Sequence, residues 1–105
     1  MLISKQMQAA MHAQIGHELA ASNQYVAIAC YFDGEGLQQL GKHYFKQAAE
    51  ERDHAMRFVR FLMDAGAEVA IPAIPAPRGP VVRPTSRASW WRPWRRSEAE
   101  PSRSS

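Results

Sequence analysis

The chain has 105 residues, room for one small domain, and its +3 formal charge averages two unlike segments. Residues 1–71 hold no proline, all four histidines, every Tyr and Phe, and six basic against eight acidic residues, a net −2. Residues 72–105 hold all seven prolines, all three tryptophans, and seven Arg against Glu98 and Glu100, a net +5, so a fold basic throughout is excluded. The single cysteine, Cys30, excludes a disulfide framework and is expected to be a small buried core residue. No run approaches the ~20 apolar residues that span a bilayer.

Met1 to Gln6 lacks a charged region followed by an apolar run, so no signal peptide is read there and a cytoplasmic location is expected. The first helix is predicted over about residues 4–33, with Ser4 as its N-cap. Ile3, Met7, Met11 (or Ala10), Gln14, Glu18, Ala21, Tyr25, Ile28 (or Ala29) and Phe32 follow at steps of three and four, one helical stripe. Gly34-Glu35-Gly36 ends it. The second helix is predicted over about residues 37–65, with Leu40, Tyr44, Gln47, Glu51, His54, Phe58 and Phe61 inward and Gly66 closing it. Gly16 and Gly41, inside these helices, each disfavour helix by ~1 kcal/mol relative to alanine. Met7, Met11, Met56 and Met63 are expected in or near the core.

Two long helices joined by a short turn make an antiparallel hairpin. A hairpin covers only its contact seam, so its flanking apolar side chains call for further helices from the same or another chain. After Ile71 the prolines at 72, 75, 77 and 80 turn the chain from helix to extended, polyproline-like structure. The expected organisation is therefore an all-α hairpin over residues 1–71 and an irregular Pro/Arg/Trp-rich tail over 72–105, disordered at its polar end.

Glu51-Arg52-Asp53-His54 is an E-x-x-H step, which puts Glu51 and His54 on one helical face. Glu and His also occur together on many solvated helix faces. Here the pair lies on the apolar stripe, where an unpartnered carboxylate is costly. Glu18, on the stripe of the preceding helix, stands nearly as far before the turn as Glu51 stands after it, so a hairpin sets them at one height. Carboxylate oxygens with one imidazole suit iron or manganese better than copper or structural zinc. Tyr25, seven residues past Glu18, is equally a core tyrosine and a hydrogen-bond partner for a ligand. Gln14, Gln47 and Glu50 are weaker candidates, while His12, His17 and His43 have no partner at ligand spacing and read as solvated. The Trp90-to-Arg96 cluster could stack on bases and neutralise phosphates, but nothing else favours nucleic acid as a partner.

Several stretches together resemble the bacterial non-haem ferritins. They are Met1-Leu2-Ile3-Ser4-Lys5, His17-Glu18-Leu19, Tyr25-Val26-Ala27-Ile28-Ala29, Tyr31-Phe32 and Glu50-Glu51-Arg52-Asp53-His54-Ala55-Met56. The likeness covers about residues 1–76, the first two helices of that family's four-helix bundle. It implies a ferritin-like hairpin, half of a bundle, in which Glu18 and His54 ligate one iron, Glu51 is the bridging carboxylate and Tyr25 the nearby tyrosine. It implies ferroxidase chemistry and iron storage, impaired where the ligands of the third and fourth helices are lacking, and self-association or co-assembly with ferritin subunits. Haem-binding relatives carry methionine where Arg52 stands, so haem is not implied. The alternative is a two-helix module that homodimerises around two metals. The tail resembles nothing in the family. Codons for Ala88 to Trp94 can, from the third base of the Ala88 codon, encode Glu-Leu-Val-Ala-Ala-Leu, which reads residues from about 79 onward as an out-of-frame helix. Resequencing the gene tests this.

Overall fold

The computed structural model describes residues 3–79. It contains α1, Lys5–Gly34, and α2, Gln38–Asp64. Both lie within about one residue of the predicted bounds. Ser4 caps α1, its Oγ accepting from the Met7 amide at 3.0 Å. Each helix ends on a left-handed glycine. At Gly36 (φ 86°) the next amide, Leu37, donates to the Phe32 carbonyl at 2.8 Å. At Gly66 (φ 70°) Ala67 donates to the Leu62 carbonyl at 2.9 Å. The same six-to-one closure turns the chain at both ends of the hairpin. The predicted irregularity and frame shift from residue 80 onward concern residues outside those described.

The seam between the helices follows a seven-residue repeat. On α1 it takes Ile15, Ser22 and Ala29; on α2 it takes Gly41, Ala48, Ala55 and Leu62, all buried. Most are small, so the backbones approach closely. Ser22 Oγ donates to the Ala48 carbonyl across the seam at 2.7 Å. A Cβ on Gly41 would lie 3.3 Å from the Ala29 carbonyl oxygen. Ile15, Ala55 and Leu62 form the largest buried cluster, with Met11, Leu19, Phe58 and Val59 against it.

Several expectations need correcting. The inward stripe was placed about one position off the seam, because Ile15 and Ser22 fall between its members. Leu40 and Phe61, taken as inward, are exposed. Of the four methionines only Met11 is half-buried, while Met7, Met56 and Met63 are exposed. Cys30 is half-buried rather than buried. An unbranched apolar side chain supplies no periodic signal that distinguishes the seam from the flank beside it.

Beyond α2 the described chain stays against α1. Residues 67–79 run back along α1 as a strap without regular structure. His12 Nε2 donates to the Glu68 carbonyl at 2.9 Å, so His12 is engaged rather than solvated. A Cβ on Gly16 would lie 2.6 Å from Pro72 Cγ, which is why glycine fits there. Further along, the Gln24 amide pairs with Arg78: Nε2 donates to its carbonyl (3.0 Å) and Oε1 accepts from its amide (2.9 Å).

Candidate metal centre

The seam places a second row of residues at its edge. Met11, Glu18, Tyr25 and Phe32 repeat every seven positions on α1, and Tyr44, Glu51 and Phe58 do so on α2. These side chains are half-buried, covered by the neighbouring helix on one side and open on the other. Because the helices are antiparallel, Glu18 meets Glu51, and two turns nearer the hairpin tip Tyr25 meets Tyr44. His54 lies on the next stripe outward, shared with Leu40, Gln47 and Phe61.

Glu18, Glu51 and His54 converge, each offering a ligand atom, all within 4.8 Å of one another. His54 Nδ1 is 3.7 Å from Glu18 Oε1 and 3.5 Å from Glu51 Oε1. The carboxylate side chains are 15% and 22% exposed and the imidazole 45%, so the cluster is reached from the open side of the hairpin. Gln14 Nε2 donates to Glu18 Oε2 at 2.8 Å, which leaves Oε1 facing the imidazole. The spacing of Gln14 was visible in the sequence, but its task was not. A glutamine one turn before a glutamate on the same stripe is the signal that could have shown it.

The two carboxyls titrate as a pair. A hydrogen bond from Glu51, joined by that from Gln14 and by His54, holds Glu18 below the ordinary carboxyl range against partial desolvation. The same bond, partial desolvation and the Glu18 charge push Glu51 above it, against the opposing pull of His54. The two carboxyls thus shift each other in opposite directions, and a cation between them would relieve the repulsion of the doubly ionised pair. Two carboxylates and an imidazole form a mixed oxygen and nitrogen donor set that fits Fe(II) or Mn(II) and offers nothing to a metal requiring thiolate.

Glu50 is exposed, one position round α2 from Glu51. His17 is exposed, and His43 is exposed with its ring edge-on to Tyr44 at 5.0 Å between centroids. Tyr25 stacks on Tyr44 at 5.8 Å. Among the described residues, the trio of Glu18, Glu51 and His54 is the group able to hold a metal. No helix of the described residues is long and apolar enough to cross a membrane.

Residues 8–87 match the ferritin-like domain of the Ferritin family. The chain belongs to the ferritin family. It is 50% identical over 76 residues to the ferritin BfrB of Mycobacterium tuberculosis (strain ATCC 35801 / TMC 107 / Erdman), covering 72% of this chain and 42% of that protein. Against the bacterial non-heme ferritin of Staphylococcus aureus (strain USA300) it is 32% identical over 77 residues, covering 73% and 46%. Among solved structures, a variant of PmFTN soaked in iron superposes with a TM-score of 0.68 at 27% identity, over 70% of this chain and 47% of that one. The chain therefore spans less than half the length of these curated relatives. The ferritin-like hairpin expected from the sequence is the fold observed.

Proposed function

We propose that the hairpin is the half of a ferritin ferroxidase unit that takes Fe(II) as substrate, with Glu18, Glu51 and His54 as its ligands. The observation that carries this reading is the convergence of the three ligand atoms on facing helices of a ferritin-family chain. Glu51, within reach of both Glu18 and His54, would bridge to a second iron held by ligands from outside the hairpin. Two ferrous ions beside each other allow one O₂ to take an electron from each, and the ferric product passes to storage. Gln14 fixes the rotamer of Glu18, and the cation would offset the repulsion between the two facing carboxylates. Iron storage in the cytoplasm, and self-association or assembly with ferritin subunits, complete the proposal. Haem is not implied, since Arg52 stands where the haem-binding relatives carry a methionine.

A second reading has one observation in its favour. Leu40 and Phe61, exposed by 42% and 39%, lie on the stripe of His54, so the metal face is flanked by uncovered apolar side chains. Another copy of the hairpin could cover that face and bring its own Glu18, Glu51 and His54, holding two metals at a twofold interface.

Anaerobic Fe(II) titration followed by calorimetry tests the site. Glu51→Ala should abolish binding, whereas Glu50→Ala, exposed one position away, should leave it nearly intact. Equal losses in the two variants would refute the assignment. Iron-dependent formation of a discrete dimer would favour the second reading over the first.

A further inference from the structure

All three tryptophans of the chain, Trp90, Trp91 and Trp94, stand in one seven-residue run with Arg92, Arg95 and Arg96. Residues 1–71 have no tryptophan and a net charge of −2, whereas residues 80–105, beyond those described, carry six Arg against two Glu. The hairpin has a face that fits such a run. Leu40 and Phe61 are exposed on the stripe of His54, and the half-buried Tyr44, Glu51 and Phe58 lie beside them. Glu18 and Glu51 bring two carboxyls to the middle of that face, each partly open to solvent. An apolar patch that also carries carboxylates suits a partner with aromatic rings and guanidinium groups.

The strap fixes where the tail starts. Gln24 holds Arg78 by two hydrogen bonds, and it stands six residues along α1 from Glu18, about 9 Å at 1.5 Å per residue. From Gly79 to Trp90 there are eleven steps, which span about 34 Å at 3.1 Å per residue in the extended form that Pro80 and Pro84 favour. Passing halfway round a helix about 10–12 Å across takes only about half of that. A tether of this length holds the run at roughly millimolar effective concentration, so even a weak contact within the chain outcompetes a second copy in dilute solution. We propose that Trp90 to Arg96 folds back over the metal face of its own hairpin, with the indole rings against Leu40 and Phe61 and the guanidinium groups toward Glu18 and Glu51. The run is then a plug that neutralises the two carboxyls in the metal-free chain. Where Fe(II) binds as proposed, the entering cation takes over that role and the plug is released; this last linkage alone rests on the proposed function.

Because every tryptophan lies in the plug, tryptophan emission of the full metal-free chain reads docking directly. In dilute solution the emission should lie to the blue of free tryptophan, resist quenching by acrylamide, and stay unchanged on further dilution. Phe61→Asp should move it to the position of free tryptophan with the helical circular dichroism kept, since Phe61 is exposed. Phe45 is exposed to a similar degree but stands three residues before the seam residue Ala48, whereas Glu51 stands three after it, so Phe45 lies on the opposite flank of α2. Phe45→Asp should therefore leave the emission unchanged. Arg92→Glu, Arg95→Glu and Arg96→Glu together leave residues 1–79 untouched and should release the plug as Phe61→Asp does. Docking is overturned by wild-type emission like that of free tryptophan, by equal shifts in the Phe45 and Phe61 variants, or by a blue shift that survives the charge reversal. A blue shift lost on dilution would give the face to another chain's tail, and emission that moves only with single-stranded DNA would give the run to nucleic acid; either result overturns the proposal. Anaerobic Fe(II) should shift the wild-type emission to the red as it binds. Fe(II) binding seen by calorimetry with the emission position unmoved would refute release by metal. No Fe(II) binding at all would strike the proposed function instead, and the metal-free measurements would still decide the docking.

Discussion

The two edges of the same helices are built from opposite materials. Along the seam stand Ser22, Ala29, Gly41, Ala48 and Ala55, with larger Ile15 and Leu62 at the end away from the turn. Outside it stand Val26, Tyr31, Leu37, Leu40, Phe45 and Phe61, each between 39% and 48% exposed. Had burial within the hairpin been the only demand, the large side chains would lie in the seam and the small ones outside. The reverse arrangement shows that the helices approach closely along small residues and leave the large ones uncovered by the hairpin itself. Glu18 and Glu51 lie on the boundary, covered enough to shift each other's pKa and open enough for a metal to reach them.

The sharpest way to break this contrast is to truncate one large residue on each side. Leu62 is fully buried, so Leu62→Ala should destabilise the chain by about 2–5 kcal/mol through lost transfer energy and the cavity left behind. Leu40→Ala removes the same atoms from a site 42% exposed and should stay within about 1 kcal/mol. Urea melts of the full chain at matched concentration compare the two. Similar losses would mean that the open face is covered in solution by something other than water.

Gln14 sharpens the contrast at its boundary. Its amide is what orients a carboxylate that has solvent on one side. Gln14→Ala should weaken Fe(II) affinity by about 10–100-fold, the usual range for a group that positions a metal ligand, and barely move the urea midpoint. A large stability loss with unchanged affinity would place Gln14 in the fold rather than in the site.

How much of this was legible in the sequence follows from the same contrast. Helix ends were readable because Ser4, Gly36 and Gly66 act through local backbone chemistry. The trio of Glu18, Glu51 and His54 was readable because polar residues on an apolar stripe stand out and the turn fixes their height. The seam was not. Ala29, Ala48 and Ala55 carry weak hydropathy, so the strongest apolar stripe, through Leu40, Tyr44, Glu51, His54, Phe58 and Phe61, traced the face beside the seam rather than the seam itself. Gly16 and Gly41 looked like penalties to helix formation. Their reasons, Pro72 and the Ala29 carbonyl, lie far away in sequence. The strap was hidden because its contacts use the backbone of Glu68 and Arg78, which no side-chain pattern announces.

The opposite shifts of these two carboxyls give a pH dependence whose sign can be worked out. Glu18, held below its ordinary value of 4.5, stabilises the fold above that value, and the gain is lost as pH falls through its folded pKa. Glu51, held above 4.5, stabilises below that value, and its gain is lost as pH rises through its folded pKa. The metal-free chain should therefore owe most to this pair in the ordinary carboxyl range and less on either side. An Fe(II) ion bound as proposed would compete with protons for these carboxyls, so stabilisation by metal should grow as pH rises past the Glu51 pKa. Urea melts from acid to neutral pH, with and without anaerobic Fe(II), would show the two curves diverging upward. Parallel curves would mean that proton and metal do not compete for these carboxyls.

The smallest effect belongs to the strap, where the rule of small residues at contacts applies once more. Gln24→Ala removes both hydrogen bonds to Arg78 from an exposed surface, where water can replace them, so global stability should change by no more than about 0.5 kcal/mol. The local effect should be plain, because the Arg78 amide donates to the Gln24 side chain and to nothing regular. Its hydrogen exchange should accelerate towards the unprotected rate while amides in the middle of α1 and α2 keep theirs. Gly16→Ala supplies the contrast: its methyl would lie 2.6 Å from Pro72 Cγ, so Pro72 must move. Helix propensity alone would favour this substitution by ~1 kcal/mol. If the strap is seated as observed, part of that gain is offset and amides on both sides of Pro72 exchange faster. A Gly16→Ala variant that gains the whole increment, with exchange around Pro72 unchanged, would show that the strap does not rest on α1 in solution.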